Sequence, residues 1–231
     1  MKTNDKSAEQ PCLQGEERQY TFSEYVQLFR WISYYNQIKE VVDLASAAYP
    51  QQLPSQMKVL VIGKGDGIVP MILGLYDIHV TIFDYDSDLK PDVVGDVKEI
   101  GKYFNNDSFS LIMCCQVLEH LEYVHFANIL KQFAQIAPNV LLTLPHRRVN
   151  ILAGRMKIFK IPLLKPQIAM PKFWLKDIKR DERDEHFWEI GIRGYPLKKI
   201  RRDIMTAFSI QKQYTDPLNT WHRFFVLKRR Q

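Results

Sequence analysis

The chain has 231 residues, enough for one well-filled α/β domain or a domain with an appendage, and too few for two full domains. At 46% hydrophobic and 25% charged it has the balance of an ordinary globular protein, without an apolar run of about 18 residues that could cross a membrane. Its net charge of +6 is unevenly spread: residues 1–146 hold 11 Lys/Arg against 18 Asp/Glu, and residues 147–231 hold 21 against 8. The basic part points either to an anionic partner (phosphate, carboxylate, nucleic acid or membrane surface) or to a solvated Lys/Arg face. The start, MKTNDKSAEQ, lacks the apolar core of a secretory signal. Cys12 stands alone, and Cys114 and Cys115 are adjacent, with no spaced partner for a metal site. A reduced, cytoplasmic setting is the expectation.

In chain order, residues 1–19 read as a disordered leader and 20–231 as a single domain. From Thr21 to Tyr49, apolar residues including Phe22, Val26, Phe29, Ile38, Val41 and Ala45 recur at three- and four-residue steps, which predicts a helix within the N-terminal portion 20–56. Thr21 or Ser23 would cap it, and Pro50 and Pro54 would end it. Met57–Ile62 is a short apolar run stopping at glycines, a buried strand. Ile68–Tyr76 is then a helix and His79–Phe83 a second strand. Residues 84–107 are rich in Asp, Gly and Pro, with one short turn around Val97–Phe104. Phe109–Cys115 is a third strand, Glu122–Ala137 an amphipathic helix and Val140–Leu144 a fourth strand. Alternating strands and helices over 57–146 predict an α/β fold: a parallel sheet with helices on both faces.

After the fourth strand the pattern changes. Residues 147–180 carry ten Lys/Arg against one Asp, interleaved with aromatic and aliphatic residues and prolines. The portion 147–195 is therefore expected to be a basic insertion or lid of irregular or short helical structure. The portion 196–231 resumes with a helix over Pro196–Phe208, with Pro at a first-turn position. Two alternating strands follow, Ser209–Thr215 and Arg223–Lys228. Joined by Asp216-Pro-Leu-Asn219, they form a C-terminal antiparallel hairpin closing the sheet.

The first strand leads into Gly63-Lys64-Gly65-Asp66-Gly67 and directly into a helix. Alternate glycines let the backbone turn sharply and approach a ligand, and the helix start offers free N–H groups. Twenty-one residues after Gly63, Asp84 ends the second strand, where a carboxylate can accept from both ribose hydroxyls of a nucleoside. A dinucleotide loop needs Gly-x-Gly-x-x-Gly, but Ile68 fills the last place; a phosphate loop needs Ser/Thr after Lys, but Gly65 follows Lys64. Gly63-x-Gly65-x-Gly67 with Asp84, then Gly95-Asp96-Val97, then Cys115-Gln116-Val117-Leu118-Glu119-His120-Leu121, resembles the class I S-adenosylmethionine-dependent methyltransferases. That resemblance implies a Rossmann-like sheet and S-adenosyl-L-methionine as cofactor. It sets Gly63, Gly65 and Gly67 beneath the methionine and ribose, Asp84 on the ribose, Tyr85 stacked on adenine, Asp96 and Val97 at the adenine edge, and Cys115 and Gln116 near the methionine end. The family usually has an acid two residues before the first glycine, and here that place is Val61: either Asp66 or Gln116 replaces its hydrogen bonds, or the cofactor is held more weakly.

A protonated oxygen or nitrogen acceptor needs a base, and loops at the C-terminal strand ends are where one belongs. His146 follows the fourth strand directly. His186 opens His186-Phe187-Trp188-Glu189-Ile190-Gly191, which looks like a run in bacterial members of the same family. His186 with Glu189 reads either as a base with its orienting carboxylate, Trp188 walling the pocket, or as a hydrogen-bonded clasp for the insertion. Glu119 and His120 divide between helix-start capping and catalysis, and His79, His125 and His222 read as structural or exposed. No group has metal-ligand spacing along the chain. Lacking an Asp/Asn-Pro-Pro-aromatic run after the third strand, and with its Pro-Cys pair (Pro11-Cys12) confined to the leader, the chain points to methyl transfer to O or N of a small molecule or a saccharide or lipid-linked intermediate. Two other readings stand: a catalytically silent methyltransferase-like binding protein, and an RNA methyltransferase. Peripheral membrane contact through 147–180 is a further reading of the same charge.

Overall fold

The computed structural model of the chain describes residues 27–48, 56–154, 156, 164, 166–170 and 186–230. The leader 1–19, the predicted helix start at Thr21 and the stretch 171–185 lie outside the described residues. The elements are α1 (Leu28–Ala48), β1 (Lys58–Ile62), α2 (Ile68–Leu75), β2 (His79–Asp84), β3 (Val93–Val94), a 3-10 turn (Val97–Lys102), β4 (Leu111–Cys115), α3 (Phe126–Ile136) and β5 (Asn139–Pro145). β6 (Val149–Ala153), β7 (Gln167–Met170), α4 (Leu197–Ile204), β8 (Phe208–Asp216) and β9 (Asn219–Arg229) follow.

Seven strands form one sheet in the order β3-β2-β1-β4-β5-β9-β8. The first five are mutually parallel, and β9 enters antiparallel between β5 and β8. Central strands in such a sheet are covered on both sides, so they read as unbroken apolar runs, and their side chains alternate between two cores. Leu60, Ile112, Leu142 and Phe225 meet α3 and α4 through Phe133 and Ile200. Val59, Met113, Leu141 and Phe224 meet α1 and α2 through Val41 and Leu73. This is the doubly wound α/β arrangement that the alternating pattern predicts.

Three details differ from the sequence expectation. The two-residue β3, paired with Phe83 and Asp84, was hidden in the Asp/Gly/Pro-rich stretch because so short an edge strand has no period of its own, so the predicted fourth strand is β5. The start of the insertion is not irregular or helical: β6 and β7 form a separate antiparallel ribbon, continued by a bridge between Met156 and Leu164. Pairing partners that far apart leave no local signal. α4 starts after Pro196, which occupies the cap position, and stops at Ile204, because buried Phe208 already belongs to β8. The hairpin β8–β9 and its turn are as expected.

The last described stretch of the insertion is anchored by Trp188, which is fully buried. Its ring packs edge-on against Phe126 at 5.2 Å and Tyr123 at 4.9 Å between centroids, and its Nε1–H donates to the Leu121 carbonyl at 3.0 Å. Beside it the Phe187 N–H donates to the Glu119 carbonyl at 2.8 Å. Removing a fully buried indole leaves a cavity and an unpaired carbonyl. Trp188→Ala is expected to lower the stability to urea unfolding by about 3–5 kcal/mol; a change within about 0.5 kcal/mol, the level of a surface substitution, would mean that this segment is not docked.

Candidate functional site

The strand order reverses between β1 and β4, because the chain leaves β1 toward β2 and returns on its other side to β4. Loops leaving the C-terminal ends of those strands diverge there and open a crevice, the usual ligand site of an open α/β sheet. One wall is Gly63–Gly67, with φ of +80° at Gly63, +54° at Gly65 and +75° at Gly67. A Cβ at Gly63 would lie 2.7 Å from Val117 Cγ2, so the loops from β1 and β4 touch only because Gly63 has no side chain. At Gly65 a Cβ would meet nothing within 4 Å, which leaves its bare backbone facing open space.

Asp84, 5% exposed at the end of β2, ties this loop to the next. Its Oδ2 accepts from the Lys64 amide at 2.6 Å and its Oδ1 from the Asp86 amide at 3.0 Å. Each carboxylate oxygen has a second lone pair. Tyr85 is 76% exposed beside it. Asp96 caps the 3-10 turn, accepting from the Lys98 amide and pairing with its ammonium at 2.9 Å. Burial works to raise its pKa, but these Lys98 contacts prevail and lower it. Val97 is buried.

The family's acid has no equivalent at Val61, whose side chain is buried in the α1–α2 core. Asp66 is committed to that same layer: Oδ2 accepts from Tyr34 Oη on α1 at 2.5 Å and Oδ1 from the Ile68 amide at 3.1 Å. Burial and the Asp66 carboxylate raise the Tyr34 pKa. Across the crevice, Gln116 adopts φ +56°, rarely tolerated outside glycine, asparagine and aspartate. Thr143 on β5 holds it there, its carbonyl accepting from the Gln116 amide at 3.1 Å and its Oγ1 from Nε2 at 3.2 Å. Burial pushes the Cys115 thiol up to about 12, so it is not a nucleophile at neutral pH.

Beyond Gln116, tertiary folding assembles a polar group that chain spacing does not reveal. Glu119 is fully buried, and neither of its carboxylate oxygens has a hydrogen-bond partner among the described residues. One oxygen of Glu119 and one ring nitrogen each of His120 and His186 lie within 4.8 Å of one another. Burial pushes the Glu119 carboxyl up to about 8, against smaller opposing effects of its own amide and His186. His186 Nδ1 lies 3.1 Å from Glu189 Oε1, and Glu189 Oε2 accepts from Arg147 Nε at 2.8 Å. Burial would raise the Glu189 pKa, but its bond to His186 and the Arg147 charge lower it, so it is an ionised acceptor and Nδ1 of His186 is the donor. The pair is hydrogen-bonded, and the segment that carries it is docked through Phe187 and Trp188.

His146 is placed differently. Its amide donates to the Trp221 carbonyl, its backbone bridges Ile190, and its Nδ1 accepts from Arg223 Nε at 3.0 Å. Burial first, then Arg223 and Arg148, drops its pKa to about 3. With Nδ1 accepting, the ring proton sits on Nε2. His222 meets Ser33 Oγ at 2.8 Å and is similarly lowered to about 4, burial first. His79 is exposed and His125 half-buried. At the start of the basic 147–180 stretch, Arg147 pairs with Glu189 and Arg148 donates to Thr215.

No family model matches this chain, and no curated protein matches it. Solved structures do. Magnesium protoporphyrin IX methyltransferase from Synechocystis PCC 6803, with bound SAH, is similar at a TM-score of 0.57 and 14% identity, covering 93% of this chain and 90% of its own. An S-adenosylmethionine-dependent methyltransferase from Clostridium acetobutylicum ATCC 824 gives 0.54 at 10%, covering 89% and 96%. The glycopeptide N-methyltransferase MtfA, complexed with S-adenosyl-L-methionine, gives 0.52 at 11%, covering 84% and 94%. The chain therefore has the Rossmann-like fold of class I S-adenosylmethionine-dependent methyltransferases. Among the described residues no helix is long and apolar enough to cross a membrane.

The His146 geometry has a pH consequence. An ordinary histidine titrates near 6.5 and this one near 3, so the folded state takes up its proton later than the unfolded state. Stability from this group is present above pH 6.5 and is lost as pH falls toward 3. His146→Asn keeps an oxygen acceptor for Arg223 without a titrating ring. The variant is expected to track wild type in urea midpoint above pH 7 and to lose less stability on acidification. Parallel curves down to pH 4 would contradict the buried, neutral ring.

Proposed function

We propose that this chain binds S-adenosyl-L-methionine in the β1/β4 crevice and methylates an oxygen or nitrogen of a small molecule or a saccharide or lipid-linked intermediate. The observation carrying the proposal is the convergence of Asp84 and the glycine loop: a buried carboxylate fixed by the Lys64 amide, beside a left-handed Gly65 that faces open space. That combination fits a nucleoside, with a hydroxyl acceptor below and bare backbone alongside. Gly63, Gly65 and Gly67 would hold the amino-acid and ribose portion, Asp84 the ribose hydroxyls, Tyr85, Asp96 and Val97 the adenine, and Cys115 and Gln116 the methionine end. When bound, the sulfonium supplies an activated methyl group, so the protein's part is alignment and proton handling.

On the acceptor side, His186 is the side chain oriented to act. Glu189 accepts the hydrogen bond of Nδ1–H, which fixes the tautomer with its basic nitrogen at Nε2, and the Arg147 charge helps to keep Glu189 ionised. His146 has its lone pair turned to Arg223 and contributes by tying the end of β5 to Ile190. The excess positive charge after residue 146 supports an anionic acceptor.

Calorimetric titration with S-adenosylmethionine and with its demethylated product tests the cofactor half. Saturable binding to both is expected, and Asp84→Ala should weaken each by at least about tenfold, as for loss of charged hydrogen bonds. No binding to either ligand would sink the proposal, and unchanged affinity in Asp84→Ala would displace the ribose contact. On the catalytic side, His186→Ala should reduce methyl transfer by about 100-fold or more while leaving cofactor affinity within twofold. Full turnover in that variant would remove His186 from the chemistry.

A further inference from the structure

We infer that Glu119, His120 and His186 form a binding site for one divalent transition-metal ion of the zinc or manganese type. Three separate observations lead there. Their donor atoms lie within 4.8 Å of one another, although His186 is far from the other two along the chain. The Glu119 carboxylate, fully buried, has no hydrogen-bond partner among the described residues, and such a group needs a compensating charge. His186 is also already arranged as a metal ligand: its Nδ1–H points at Glu189 Oε1, 3.1 Å away, and Arg147 secures the other Glu189 oxygen. Carboxylate–histidine pairs of this kind orient ligating imidazoles and raise their basicity.

The donor set selects the ion. Two imidazole nitrogens and one carboxylate oxygen suit zinc, manganese or iron(II), whereas magnesium and calcium prefer all-oxygen shells. Bonds of about 2.1 Å place adjacent donors about 3.4 Å apart, so closure asks for roughly an ångström of side-chain movement. The ring of His120, which is exposed, already meets that of His186 edge-on at 4.8 Å between centroids. Glu119 enters from the buried side and the histidines from the open side, so an ion reaches the site from solvent past His120.

Three protein ligands leave at least one coordination position open, the arrangement of catalytic rather than structural sites. The site lies on the loop that leaves β4, on the same rim as Gln116. Its use on an acceptor rests on the methyl-transfer reading: a hydroxyl in the open position would give its proton to solvent water near neutral pH, the ion activating it in place of His186, whose lone pair would then be bound to the ion and not act as the base. Occupancy by the ion does not depend on that reading.

The test uses the full chain stripped with a chelator, then titrated calorimetrically with zinc chloride and, separately, manganese chloride. Bound metal is counted by mass spectrometry after gel filtration, and the demethylated cofactor is titrated into the same metal-free samples. The expected result is one ion per chain, weakened at least about tenfold by Glu119→Gln or His186→Gln. Glu189→Gln should weaken it by about tenfold through the ligand's orientation, and His79→Ala, at an exposed histidine elsewhere, should change nothing. Absent binding, or wild-type affinity in both ligand variants, overturns the site. So that nothing depends on the variants folding, cobalt(II) is added to the wild type: a visible spectrum of a four- or five-coordinate ion supports the site, and the pale spectrum of the hydrated ion overturns it. Failure of cofactor binding alone would strike the methyl-transfer reading and leave the metal result standing.

Discussion

The Phe187 N–H to Glu119 carbonyl bond, with the Trp188 Nε1–H to Leu121 carbonyl bond beside it, is the constraint on which the rest of the site depends. Both close over a fully buried indole, where an unmade hydrogen bond is costly and a made one is strong. Through them a stretch far along the chain is fastened to the loop leaving β4. His186 and Glu189 flank the fastened residues, Arg147 reaches Glu189 from the end of β5, and Ile190 bridges His146. The polar group beyond Gln116 is thus a product of aromatic packing on its other side.

The crevice shows the same economy in its backbone. The loops from β1 and β4 are in contact because Gly63 has no Cβ to meet Val117. Gln116 holds an unfavourable φ, worth about 1–2 kcal/mol, only because β5 supplies Thr143 to hold both its amide and its side chain. Val61 explains itself once the layers are known. It faces the α1–α2 core, where Tyr34 and Asp66 already make the polar link between α1 and the glycine loop. The acid customary at that place is absent, and the link that exists serves the helix layer.

The acidic first part and basic second part meet more than they repel. Lys212 of β8 reaches Glu40 on α1, and Arg229 pairs with Asp107 at the surface. Together with Arg147–Glu189 these contacts draw some of the positive charge into holding the chain together. Charge that reads along the sequence as a partner surface is therefore in part structural. The partly buried pairs give register and specificity more than stability, and the exposed one adds little.

By itself the sequence determined what local pattern can encode. The apolar runs at β1, β4 and β5 announce strands covered on both faces, the helix period over α3 is plain, and the β8–β9 hairpin follows from alternation around Pro217-Leu218. The turn at Gly63-x-Gly65-x-Gly67 was legible because the glycine requirement is a property of the backbone, and all three residues take positive φ. Tertiary structure alone decided β3 and the β6–β7 ribbon, whose strands are too short to carry a period and gain their identity from a partner. It likewise decided that His146 faces Arg223 and that donor atoms of Glu119, His120 and His186 lie within 4.8 Å of one another. Spacing along a chain reports a polar cluster only when one element carries it. Here two loops carry it, and the distance between them is set by the burial of Trp188, which no local pattern records.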